Sequence, residues 1–152
     1  MELILWRHAE AEDLKEGGND LQRALTPRGE KQAQRMAHWL NRQCSEDTRI
    51  LCSPARRCEQ TALALGRKYK LCSELAPGAT LETLLLSAGW PDGKPVLMVG
   101  HQPTLGQVIA RLTGMSQELC SVRKGALWWL RSRECDGQTQ TQILTVQSPE
   151  ML

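Results

Sequence analysis

The chain has 152 residues, a formal net charge of +2, 41% hydrophobic and 24% charged residues, and no phenylalanine. Such values exclude a disordered tail and a strongly basic polyanion binder, and they suit one domain whose core folds without staples. No apolar run reaches the roughly 20 residues of a membrane span, so the reading is a cytoplasmic protein with neither membrane nor nucleic-acid partners.

Glu2–Trp6 is a short apolar run and reads as a first buried strand rather than a leader peptide. Residues 9–24 are polar and irregular, with Gly17-Gly18-Asn19-Asp20 marking a loop. Thr26-Pro27 starts a helix, with Thr as N-cap and Pro at the first helical position. Ala33, Met36, Ala37 and Leu40 give it one apolar face. Arg49–Cys52 is a second strand, and Ser53-Pro54 repeats the helix-start signal before a stripe of Cys58, Ala62 and Leu65. A short strand at Leu71–Leu75, a turn at Pro77-Gly78 and a helix over Thr80–Ala88 follow. Pro95–Gly100 is the clearest strand, and Gln102-Pro103 starts a helix faced by Leu105, Val108, Ile109 and Leu112. Gly125–Leu130 and Gln142–Val146 are expected to pair around a hairpin near Asp136-Gly137.

With no repeat and no linker, residues 1–152 read as a single domain. Strands alternating with helices predict a three-layer α/β fold, a largely parallel sheet with helices on both faces. The adjacent Trp128 and Trp129 should point to opposite faces, one of them into the core. Six cysteines at 44, 52, 58, 72, 120 and 135 form no C-x-x-C pair and read as reduced, mostly buried thiols. Three scattered histidines complete no zinc spacing. Neither a metal nor a cofactor is expected.

Ligands of such folds bind beyond the carboxyl ends of the strands. There the sequence places Arg7-His8, then Ser53 with Arg56-Arg57, then His101. Arginine grips a phosphoryl group by paired hydrogen bonds and stabilises its transition-state charge. Nearby guanidinium charges keep an imidazole neutral, and a neutral imidazole is a nucleophile. His8 is therefore the candidate phosphoryl acceptor. His38, beside the apolar stripe of its helix, reads as structural.

Four segments carry a family resemblance. Leu5-Trp6-Arg7-His8-Ala9-Glu10 resembles the Arg-His-Gly signature of the histidine phosphatase superfamily, whose fold is phosphoglycerate-mutase-like. Ser53-Pro54-Ala55-Arg56-Arg57-Cys58-Glu59-Gln60-Thr61 resembles its Ser-Pro-x-x-Arg-x-x-Gln-Thr block, and that spacing selects Arg57 over Arg56. Gly100-His101-Gln102-Pro103 resembles the block with the second histidine, and Arg23-Ala24-Leu25-Thr26-Pro27-Arg28-Gly29 the segment before the first helix. The resemblance implies one histidine phosphatase domain with His8, Arg7, Arg57 and His101 as catalytic residues. It implies a phosphate or other oxyanion held by Arg7, Arg23, Arg57 and His101.

Two departures bear on the substrate. Ala9 replaces the signature glycine, and its methyl fits if φ stays negative. Residues 66–95 lack the acidic insertion of larger members and offer only Glu74, Glu82 and Asp92. An ester's alkoxide leaving group needs a proton, whereas imidazole leaves far more readily. The expected activity is thus that of a SixA-type, metal-independent protein phosphohistidine phosphatase, with a phosphohistidine-containing partner protein as substrate. The alternatives are a small-molecule phosphomonoester phosphatase, which would need Glu74 or Glu82 at the pocket, and a non-catalytic phosphate-binding module.

Overall fold

The computed structural model describes residues 1–152. Its centre is a six-stranded sheet built from β1 (Glu2–Arg7), β2 (Arg49–Cys52), β3 (Lys70–Leu71), β4 (Val96–Gly100), β5 (Leu127–Cys135) and β6 (Gln138–Gln147). The strand order is β3-β2-β4-β1-β5-β6; the first four run parallel, and β5 and β6 complete the sheet antiparallel. Four helices, α1 (Pro27–Gln43), α2 (Arg56–Leu63), α3 (Leu81–Ala88) and α4 (Thr104–Thr113), cover it.

Because strand side chains alternate between faces, the parallel strands are apolar on both sides. Leu3 and Leu5 of β1 join Val96, Met98, Leu84, Leu105 and Ile109 in the core beneath α3 and α4. Ile4 and Trp6 join Val99, Met36, Leu40, Cys58 and Ala62 beneath α1 and α2. Trp128 packs in the first core and Trp129 in the second, edge-on to Trp39 with ring centroids 6.1 Å apart. Both rings are buried, so the opposite-face expectation holds and the neighbour of the core tryptophan is a second core residue.

Local signals explain most boundaries. Thr26 caps α1, its Oγ1 accepting from the Gly29 amide at 2.9 Å, and Thr80 caps α3 in the same way. Asp136 and Gly137, at φ 52° and 76°, supply the left-handed pair that a tight hairpin uses. Around them β5 and β6 reach further than their apolar segments foretold. Of the predicted strand at Leu71–Leu75, only Leu71 belongs to a strand, the two-residue β3; Ser73–Leu75 forms a single 3-10 turn. Ser53 does not cap α2. The cap position is Ala55, and the serine hydroxyl accepts the Ala55 amide at 3.2 Å while facing another residue.

Candidate active site

Register decides where the chemistry collects. Arg7 pairs with Gly100 across β1 and β4, and Cys52 pairs with Val99 across β2 and β4. His8, Ser53 and His101 are therefore the first residues beyond the carboxyl ends of three adjacent strands. The His8 and His101 rings lie 5.3 Å apart between centroids and 58° from coplanar. Each residue is only 6% exposed.

The hydrogen bonds assign both tautomers. His8 Nδ1 stands 2.8 Å from the Ala9 carbonyl oxygen. A carbonyl only accepts, so Nδ1 carries the proton and Nε2 keeps its lone pair. His101 Nδ1 accepts from Arg57 Nη2 at 3.4 Å, which leaves Nε2–H to donate to Ser53 Oγ at 2.8 Å. Burial, reinforced by His101, Arg57 and Arg7, pushes the His8 pKa down to about 3 despite the opposing Ala9 hydrogen bond. Burial and then Arg57 push His101 down to about 4. Both rings are neutral at pH 7.

Arg57 touches the His101 ring, and the charges of Arg57 and Arg7 both act on the two rings. Arg57 donates from Nη1 to the Asp20 carbonyl at 2.8 Å and from Nη2 to the Asp20 carboxylate at 3.2 Å. Arg7 donates from Nη1 to the Val122 carbonyl at 3.0 Å, and burial followed by the Arg57 charge lowers its pKa. The Nε groups of both arginines are buried without a partner. Unsatisfied buried cationic donors are costly, and an oxyanion supplies the acceptors they lack. Arg23 reaches the cluster through Asp20, donating from Nη1 at 3.0 Å, and is anchored by the Glu12 carbonyl at 2.7 Å.

The rest of the second sequence block holds this cluster in place. Thr61 Oγ1 donates to the Arg57 carbonyl at 2.8 Å and accepts from the Ala9 amide at 3.1 Å, tying α2 to the residue after His8. Gln60 Oε1 accepts from the Leu25 amide at 2.7 Å and so fixes the segment carrying Arg23. Gly29 lies against the Glu10 carbonyl, where an added Cβ would collide with backbone. Ala9 is fully buried without positive φ, as its methyl requires.

The structure thus brings together Arg7, His8, Arg57 and His101, with Arg23 one residue removed. Arg56 is exposed, in keeping with the choice of Arg57, and His38 is exposed rather than packed in the core. The candidate acids lie elsewhere. Glu74 accepts from Cys72 and Ser73, Glu82 faces Arg111 on the surface at 3.7 Å, and Asp92 sits in an exposed turn. The carboxylate at the cluster is Asp20, which sequence reasoning passed over as part of a loop. Its spacing of three residues from Arg23 was the one available signal. Ser53 as the partner of His101 was likewise hidden behind its helix-start context.

Comparison with known proteins identifies the family. Residues 3–80 match the family model of the histidine phosphatase superfamily (branch 1). The phosphohistidine phosphatase SixA of Escherichia coli is 33% identical, covering 74% of each chain. An uncharacterized protein of Picosynechococcus is 32% identical, covering 100% of this chain and 99% of its own. A solved structure of the protein histidine phosphatase SixA complexed with tungstate superposes with a TM-score of 0.78 at 25% identity, covering 99% of both chains.

Proposed function

The chain belongs to the histidine phosphatase superfamily and is a phosphatase, and from that premise we propose that it hydrolyses phosphohistidine on a partner protein. In this reading the lone pair of His8 Nε2 attacks phosphorus while the P–N bond to the partner's imidazole breaks. That imidazole, already protonated on its other nitrogen, departs with the electron pair as a neutral ring and needs no proton from the site. The His8 ring is then positively charged, and the Ala9 carbonyl stabilises its Nδ1–H. Arg7 and Arg57 hold the phosphoryl oxygens, with Arg23 as a further ligand, and His101 completes the pocket. Water attacks the phosphorylated His8, inorganic phosphate leaves, and Nε2 regains its lone pair.

The observation that carries this reading is the His8 tautomer. A bare Nε2, beside two guanidinium groups with unpartnered buried donors, suits nucleophilic attack on an anion. The preference for phosphohistidine over an ester rests on the carboxylates. Glu74 and Glu82 are engaged away from the cluster. Asp20 is held below the usual carboxylate range, chiefly by the Arg23 hydrogen bond, so it is a poor proton donor. A leaving group that needs little help fits such a site. Six free thiols fit a reducing, cytoplasmic setting, and no helix is long and apolar enough to cross a membrane.

The test is turnover of a phosphohistidine protein with acid-labile labelling of the enzyme. The wild type is expected to form label and release phosphate in the presence of EDTA, and His8→Ala to do neither. Undiminished turnover by His8→Ala would refute the assignment.

A further inference from the structure

The loop before α1 contributes one charged group that the phosphoryl chemistry above does not use. Asp20 occupies donors of both outer phosphate ligands: Oδ1 accepts from Arg23 Nη1 at 3.0 Å and Oδ2 from Arg57 Nη2 at 3.2 Å. Its own carbonyl takes Arg57 Nη1 at 2.8 Å. The Nη2 group that meets the carboxylate also donates to His101 Nδ1 at 3.4 Å. A negative charge therefore stands one guanidinium nitrogen away from His101.

This carboxylate is placed to leave. The Arg57 side chain is 5% exposed, but that of Asp20 is 42% exposed. Residues 12–19 beside it are exposed around Gly17-Gly18, while the loop base is pinned by the Glu12 amide on the Ala24 carbonyl and the Ala11–Leu25 bridge. The Asp20 carboxylate is thus open to solvent on one side, while its carbonyl is held by Arg57 Nη1 and the Arg23 amide.

We propose that Asp20 is a specificity-determining counter-anion that occupies Arg57 and Arg23 at rest and that every incoming phosphoryl dianion has to displace or adjoin. The proposal rests on the reading of His8, Arg7 and Arg57 as a phosphoryl pocket. Free phosphate and small phosphorylated compounds bring only the phosphoryl group to offset that repulsion. A phosphoprotein adds contacts from its own surface. Asp20 thus lowers the affinity for small anions, the product phosphate included, and tilts selection toward a protein-borne phosphoryl group.

The test measures binding of inorganic phosphate and tungstate by calorimetry, with KM for phosphoramidate and for a phosphohistidine protein. In Asp20→Asn, which keeps the side-chain shape and the backbone carbonyl, both anions should bind at least ~10-fold tighter. KM for phosphoramidate should fall in parallel and KM for the protein should fall less. Asp20→Ser provides a second neutral variant, and Asp20→Glu should stay close to wild type. Unchanged or weaker anion binding in both neutral variants would overturn the proposal, because a residue that only positions Arg57 weakens the pocket when removed. Arg57→Ala separates the two readings. If it abolishes phosphate binding while the neutral variants change nothing, only the role of Asp20 falls. If it leaves phosphate binding intact, the pocket itself is wrongly assigned.

Discussion

The two ends of the sheet obey different physics. At the carboxyl ends of β1, β2 and β4, polar side chains are buried and nearly all engaged: His8, Ser53, Arg57, Thr61 and His101 are each at most 6% exposed. In β5 and β6 the pattern reverses. Leu127–Leu130 are buried within the sheet, and from Arg131 onward the hairpin stands largely in solvent, with Ile143 and Val146 41% and 47% exposed. The change follows the register shift between Trp129 and Leu130, where the ladder departs from regular pairing. Parallel strands need cover on both faces, and that cover makes their ends a dry, low-dielectric floor for charge. The antiparallel hairpin satisfies its backbone internally and needs no such cover. Buried polarity therefore concentrates function in the first region and leaves the second tolerant of change.

Experiments can break this division. The largest effect is expected from Arg57→Lys, which keeps the charge but loses the planar fork that meets Asp20 and His101 and, in the proposed reading, the phosphoryl oxygens. Turnover should fall by about 10²–10³-fold with the fold intact. Turnover within a few-fold of wild type would mean that Arg57 supplies only charge.

A smaller effect is expected on stability in mild acid. Unfolded histidine titrates near 6.5, whereas His8 and His101 in the folded chain resist protonation down to about 3 and about 4. Below pH 6.5 the unfolded state binds protons that the folded state refuses. Stability is thus complete above about pH 6.5 and declines as pH falls toward 4. The melting temperature should drop between pH 7 and pH 5, and the double variant His8→Gln with His101→Gln should flatten that slope. An equal slope in the double variant would place the acid sensitivity elsewhere.

The smallest effect belongs to the hairpin. Gly137→Ala forces a Cβ onto a residue at φ +76° and should cost about 1 kcal/mol in urea unfolding, with turnover unchanged. Loss of turnover would show that the hairpin communicates with the site.

Much of this molecule was written locally. Apolar runs marked β1 and β4, Thr26-Pro27 announced α1, and Asp136-Gly137 announced the hairpin, because each signal acts within a few residues. His8, the Arg56-Arg57 pair and His101 were legible for a related reason: each immediately follows a strand, or opens the helix after one, whose end is itself readable, and the family resemblance then chose Arg57. Other features depend on residues far apart in the chain. Asp20 meets Arg57 across 37 positions, and Ser53 meets His101 across 48. No periodicity or cap signal encodes such pairs. Nor could sequence assign the tautomers of His8 and His101, which depend on whether the facing atom is a carbonyl or a guanidinium. The chain by itself determined which residues stand at the sheet edge. Tertiary packing alone decided how they are charged, which nitrogen is free and which carboxylate stands beside them, because those properties belong to burial and long-range hydrogen bonding.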